Sequence, residues 1–230
     1  MSVPSDLQFA FFERTIIPIT LEAMRLFPDG LVIASGIFAL ITLSYPYGVF
    51  FGTMLEAGVI FNLLQYFMKW VHMAGMPIHT PSTEGPMCRT GFSSESGTLT
   101  GISLFPYNPL SYSFPSPPLY ILTTAASYIF TTLNTQSKEL EALGPAYSSR
   151  YYVSAILLIF LIGIFATFRL LYGCDTFGSV IITIPIGLIL GALLVQQNVK
   201  LFGPTSVNLL GIPLLRNRAA NGKKIYVCPK

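Results

Sequence analysis

Three short stretches hold residue types suited to gripping an anion. "KWVHMAGMP" starts at Lys69 and ends on Met76 and Pro77; "PSPP" is Pro115, Ser116, Pro117 and Pro118; "FRLLYGCDTFGS" carries Arg169, Asp175 and Ser179. Lysine and arginine clamp spread negative charge through charge-assisted hydrogen bonds, and prolines favour the first turn of a helix. Arg169 and Asp175 also suit each other as an interfacial ion pair, worth about 1 kcal/mol or less where water reaches it. Proton transfer is poorly provided for. The chain has two histidines, His72 and His79, and a usable base must lie within hydrogen-bond reach of its target. Two histidines at this spacing also fall short of a metal site, so no metal and no cofactor are expected.

Simpler roles account for each stretch taken singly. Lys69 beside Trp70, and Arg169 near Tyr172, have the look of membrane-interface anchors, because long cations snorkel and aromatic rings sit among headgroups. Glu56 falls inside an apolar run, where a carboxylate must face protein or a polar cavity unless it lies near a helix start. Cys88, Cys174 and Cys228 lack metal-ligand spacing, and three cysteines cannot all pair within one chain; buried or unpaired thiols are the expectation.

The elements that must position these residues are membrane helices. Of 230 residues, 52% are apolar and 10% are charged, with mean hydropathy +0.63, whereas soluble domains carry about 25% charged residues. Leu31 to Val71 contains only two charges, Glu56 and Lys69, and as one helix would be roughly twice as long as a bilayer core is thick. It must fold back, and "SYPYGVFFG" (Ser44 to Gly52) offers a proline and two glycines for a hairpin. The expected spans are 31–46, 52–71, 119–135, 150–171 and 177–199. Residues 5–27 carry five charges and Pro18 and are expected as an interfacial or partly inserted helix, so that residues 1–30 stand apart from the bundle of 31–199. The fold class is all-α, a polytopic transmembrane bundle of five to six membrane helices with one long extramembrane loop, 75–118. A basic tail, 200–230, follows. It holds six of the thirteen Lys and Arg residues and no acid, which places it on a cytoplasmic-type face. Gly187 and Gly191 form a small-residue step able to bring a second helix close, in this chain or another.

Alternating crossings put the exits at Lys69, Pro118 and Arg169 on one face. In order and spacing the three stretches then resemble the type 2 phosphatidic acid phosphatase (lipid phosphate phosphatase) superfamily, whose signatures are Lys, six residues, Arg-Pro; Pro-Ser-Gly-His at a helix start; and Ser-Arg, five residues, His, three residues, Asp. This chain keeps Lys69, Pro77, Pro115, Ser116 and Arg169. Met76 stands for the arginine, Pro117 and Pro118 for Gly-His, Asp175 for the nucleophilic histidine and Ser179 for the aspartate. The resemblance implies a helical bundle with a vestigial anion site at Lys69 and Arg169. It implies no catalysis, because both histidines that would attack phosphorus and protonate the leaving alkoxide are gone.

The expected function is therefore that of an inactive multi-span scaffold in a large membrane-associated assembly, such as the internal membrane and minor capsid layer of a large virus. Its partners would be the lipid bilayer and other protein subunits, met through loop 75–118 and tail 200–230; nucleic acid is not expected. The alternatives are a lipid phosphate phosphatase with a rewired site and a binder of phosphate-bearing lipid headgroups.

Overall fold

The structure, a computed structural model, describes residues 17–72, 88, 115–137, 140–141 and 145–211; some side chains within the helices, those of Lys69, His72 and Arg150 among them, also lie outside the described set. Among the described residues the protein is all-helical. Helix α1 spans Ile17–Thr42, α2 Tyr45–His72, α3 Pro117–Thr135, α4 Pro145–Leu171 and α5 Phe177–Phe202, and a short 3-10 turn, Pro204–Val207, follows α5.

Three stretches are long and apolar enough to cross a membrane: Tyr45–Met68, Tyr151–Leu171 and Phe177–Phe202. The expected spans at 31–46 and 119–135 are not among them, for two reasons. The apolar part of α1 is short, Asp29–Thr42. Helix α3 is rich in Ser, Thr and Tyr because its surroundings are protein: every residue from Pro117 to Tyr128 is buried. Several of its polar side chains find partners inside the bundle, as most buried polar groups do, although the hydroxyls of Thr124 and Thr132 have none among the described residues. Tyr120 Oη donates to the carbonyl of Ala57 at 3.1 Å, Thr123 Oγ1 to that of Leu119 at 2.8 Å, and Ser127 Oγ to that of Leu188.

The hairpin between the first two helices differs from the expected one. The chain turns at Leu43 and Ser44, with Leu43 in the left-handed region (φ 49°). Pro46 falls in the first turn of α2, where its missing N–H is not needed, and the amide of Gly48 bonds to the carbonyl of Ser44 at 3.1 Å. Gly48 and Gly52 are thus helical residues. Helix α1 is also continuous across the expected boundary at 30/31, and Phe27 packs on the cluster formed by Leu119, Leu122, Phe165, Ala166 and Val180. The main core lies between α1, α2, α3 and α5 and includes Val32, Met54, Tyr120, Tyr128 and Leu194.

Helix α3 packs most extensively on α5, and two glycines make this approach feasible. A Cβ on Gly187 would run into the Thr123 side chain and lie 3.0 Å from the carbonyl oxygen of Tyr120; one on Gly191 would lie 2.9 Å from the backbone nitrogen of Tyr128. Gly48 and Gly52, at the same four-residue spacing on α2, have nothing within 4 Å of such a Cβ. Valine at 187 or 191 should therefore cost at least the 1–3 kcal/mol, roughly, of an overpacked core, while Gly52→Val should change little. Thermal unfolding of the purified protein in detergent checks this, and equal midpoints for Gly191→Val and Gly52→Val would contradict it.

Candidate functional site

The site forms where three helix ends meet: the start of α3, the end of α4 and the start of α5. Pro117 and Pro118 open α3. Lacking amide hydrogens, they remove two of the donors that a helix N-terminus normally leaves exposed, so Ser116, the residue before the helix, has less capping to do. Its hydroxyl makes no cap bond. It donates instead to Asp175 Oδ2 at 2.7 Å, while its backbone N–H donates to Thr183 Oγ1 of α5 at 3.1 Å.

Arg169 lies in the last turn of α4, a favourable end for a cation. The chain then doubles back: the amides of Cys174 and Asp175 both reach the carbonyl of Arg169, at 2.9 and 3.3 Å. That reversal aims the carboxylate of Asp175 at the guanidinium. Nε of Arg169 donates to Asp175 Oδ2 at 2.6 Å, and the two side chains are 4% and 1% exposed. The expected ion pair is therefore present and buried, so the small value of a water-exposed pair does not apply to it. Thr176 caps α5 by accepting from the amide of Ser179 at 3.2 Å.

A disulfide joins Cys88 to Cys174. It corrects the expectation of buried or unpaired thiols: three cysteines leave room for one pair, and the two in the loops on the Arg169 side have formed it. The carbonyl of Cys88 lies 3.5 Å from Arg169 Nη1, so at this point the long loop sits over its own bundle. By the chain-entropy estimate, closing 86 residues contributes about 4–5 kcal/mol.

The structure brings Ser116, Arg169 and Asp175 into one hydrogen-bonded unit. Pro115, Pro118 and Ser179 are buried beside it at the starts of α3 and α5. The side chain of Lys69 and all of Met76, Pro77 and His79 lie outside the described residues, so the pairing of Lys69 with Arg169 does too. Among the described residues Asp175 Oδ1 and Ser179 Oγ have no hydrogen-bond partner.

A second polar group lies nearer the other end of the bundle. Asn198 of α5 donates to Thr53 Oγ1 at 2.7 Å and to Tyr128 Oη at 3.0 Å. Beside it, Gln197 donates to Glu56 at 2.7 Å, so the half-buried Glu56 faces protein and an open cleft of about 480 Å³ between α2 and α5. Sequence reasoning singled out Glu56 but missed Asn198 and Thr183, because amides and hydroxyls near helix ends carry no spacing signal of their own.

Compared with known proteins, the chain matches no family model, no curated protein and no solved structure.

Removing one partner of a buried ion pair strands the other charge and costs about 3–5 kcal/mol, whereas an apolar pair of similar volume is often neutral or stabilising. Asp175→Leu and Arg169→Met should each lower the thermal midpoint substantially, and the double variant should recover most of the loss. A double variant as damaged as the sum of the two singles would show that the pairing is not what holds this corner.

Proposed function

We propose that this chain is a multi-span membrane protein of structural type, a scaffold subunit in a membrane-associated assembly, whose anion-gripping corner has become a fastening between helices. The observation that carries the reading is the use of Arg169. Its guanidinium is bonded to the protein's own carboxylate, and the same carboxylate oxygen takes the Ser116 hydroxyl. A phosphate arriving there would have to displace Asp175 and would meet that residue's negative charge. The two prolines that open α3 have also removed amides on which an anion at a helix N-terminus depends.

This corner supports the inactive reading over both alternatives. A lipid phosphatase needs a nucleophile and a proton donor at the phosphate, and Asp175 and Pro118 stand where the resembled family has its histidines. A headgroup binder of the expected kind needs Arg169 free for the anion, and Arg169 is engaged by Asp175. In the proposed arrangement α1 and α3 cross alongside the three apolar helices, α3 shielded from lipid by its neighbours. The exposed aliphatic side chains of α2, α4 and α5, such as Val59, Leu63, Ile156, Ile159 and Ile189, then face acyl chains. Loop 75–118 and tail 200–230 are the surfaces offered to other subunits, with the internal membrane of a large virion as one fitting setting.

Full-length protein in detergent or in vesicles should release no phosphate from phosphatidate or lysophosphatidate above a protein-free control. Asp175→Asn should not create such an activity. Turnover that disappears in Lys69→Ala would defeat the proposal.

A further inference from the structure

The two ends of α5 differ chemically. Cys174, held in the disulfide, lies three residues before the helix begins, and Lys200 occupies its last turn. At the usual rise per residue the helix is roughly 39 Å long, so a crossing by α5 puts the two residues on opposite sides of a bilayer. Disulfides form and persist in oxidising compartments and on cell or virion surfaces, and cytosolic reductants keep thiols open. That criterion gives the Cys174 end a side.

Charge gives the other end a side independently. Lys200 and the residues after it supply six cations and no acid, whereas the Cys88 end holds Lys69, Arg169, whose charge is paired with Asp175, and within residues 73–114 one cation, Arg89, against Glu84 and Glu95. Lys and Arg close to span ends are retained in the cytosol during insertion. The helix pairing agrees with this grouping. The 3-10 turn after α5 takes a hydrogen bond from Gln136, just past the end of α3, to the carbonyl of Val207 at 3.3 Å. The end of α3 and the 3-10 turn after Lys200 therefore lie at the same end of the bundle, away from Cys88.

We propose that the bundle stands in its membrane with the Cys88–Cys174 end in an oxidising, non-cytosolic compartment and the Lys200 end, with the basic segment after it, in the cytosol. This rests on the multi-span reading above and adds an absolute orientation and a covalent maturation step. The oxidant is a protein disulfide of that compartment. One cysteine, as its thiolate, attacks the oxidant's disulfide, and the other resolves the mixed disulfide. The oxidant leaves as a dithiol with the two electrons and two protons that Cys88 and Cys174 give up. Because α3 and α4 lie between the two cysteines in sequence, closure follows the insertion of α4 and ties Cys88 beside the Arg169–Asp175 corner.

The native cysteines serve as reporters. Full-length protein in sealed membrane vesicles of known sidedness is treated with a membrane-impermeant maleimide carrying a mass tag, before and after an impermeant phosphine reductant. Before reduction one tag per chain is expected, on Cys228, and only where the cytosolic face is outward; Cys228→Ser should abolish it. Because Cys88 and Cys174 are buried, reduction and labelling are carried out in a urea concentration that loosens the protein but leaves the vesicles sealed. Two further tags should then appear, only in vesicles of the opposite orientation, and their absence from both orientations would overturn the proposal. Three tags without reductant, or the two further tags on the same face as Cys228, would overturn the orientation while leaving the membrane reading intact. Alkaline carbonate extraction run in parallel separates the cases: the protein should stay in the membrane pellet, and its release would overturn the membrane reading and the orientation together.

Discussion

The bond between Arg169 and Asp175 is the constraint around which one end of the bundle is organised. A guanidinium taken out of water must be paired and hydrogen-bonded, and here the partner lies six residues along the same chain. For the carboxylate to reach back, the backbone must reverse after α4, and the carbonyl of Arg169 holds that reversal by accepting two amides. The reversal sets where α5 starts, and the same carboxylate oxygen captures Ser116 and so sets where α3 starts. Three helix ends are thus registered by one buried charge pair, and the disulfide fastens a fourth segment over them. Coulomb attraction in a poorly screened interior is stronger than at a surface, but the desolvation it must offset is of similar size. The pair specifies which helix ends meet more than it adds net stability.

The helix–helix contact below that corner follows a different rule. Lipid supplies no hydrophobic drive for two apolar helices to associate, so close contact depends on small residues and internal hydrogen bonds. Gly187 and Gly191 let α5 lie against the hydroxyl-bearing face of α3, and Asn198 ties α5 to Thr53 and Tyr128 one to two turns from their ends of the bundle. The central helix can therefore be the most polar of the five while the polar groups of its first three turns stay buried.

Much of this was legible in the sequence, and the failures have physical causes. The meeting of Ser116 with Arg169 follows from counting apolar crossings, since both lie where a helix begins or ends on one face. The hairpin was placed too late because Pro46 and Gly48 are turn-formers by propensity; proline is equally at home in a first helical turn, and the turn itself uses Leu43, which has no turn propensity. Helix α3 drew its span from length, but its low hydropathy was a sign of burial among helices that a one-dimensional profile does not separate from exposure. The depth of Arg169 was hidden for a related reason. A cation beside Tyr172 at a helix end has the same local sequence whether it snorkels to water or is covered by a loop, and the covering comes from Cys88, 81 residues away. An odd cysteine count concealed one pair.

The central claim is that Arg169 is satisfied by the protein itself. An experimental structure of the full chain in a lipid nanodisc containing phosphatidate, at a resolution that separates side chains, tests it most directly. The account predicts continuous density between the Arg169 guanidinium and the Asp175 carboxylate, with Ser116 on the same oxygen and no separate anion between them. A headgroup phosphate bound to Arg169, with Asp175 turned away, would contradict it.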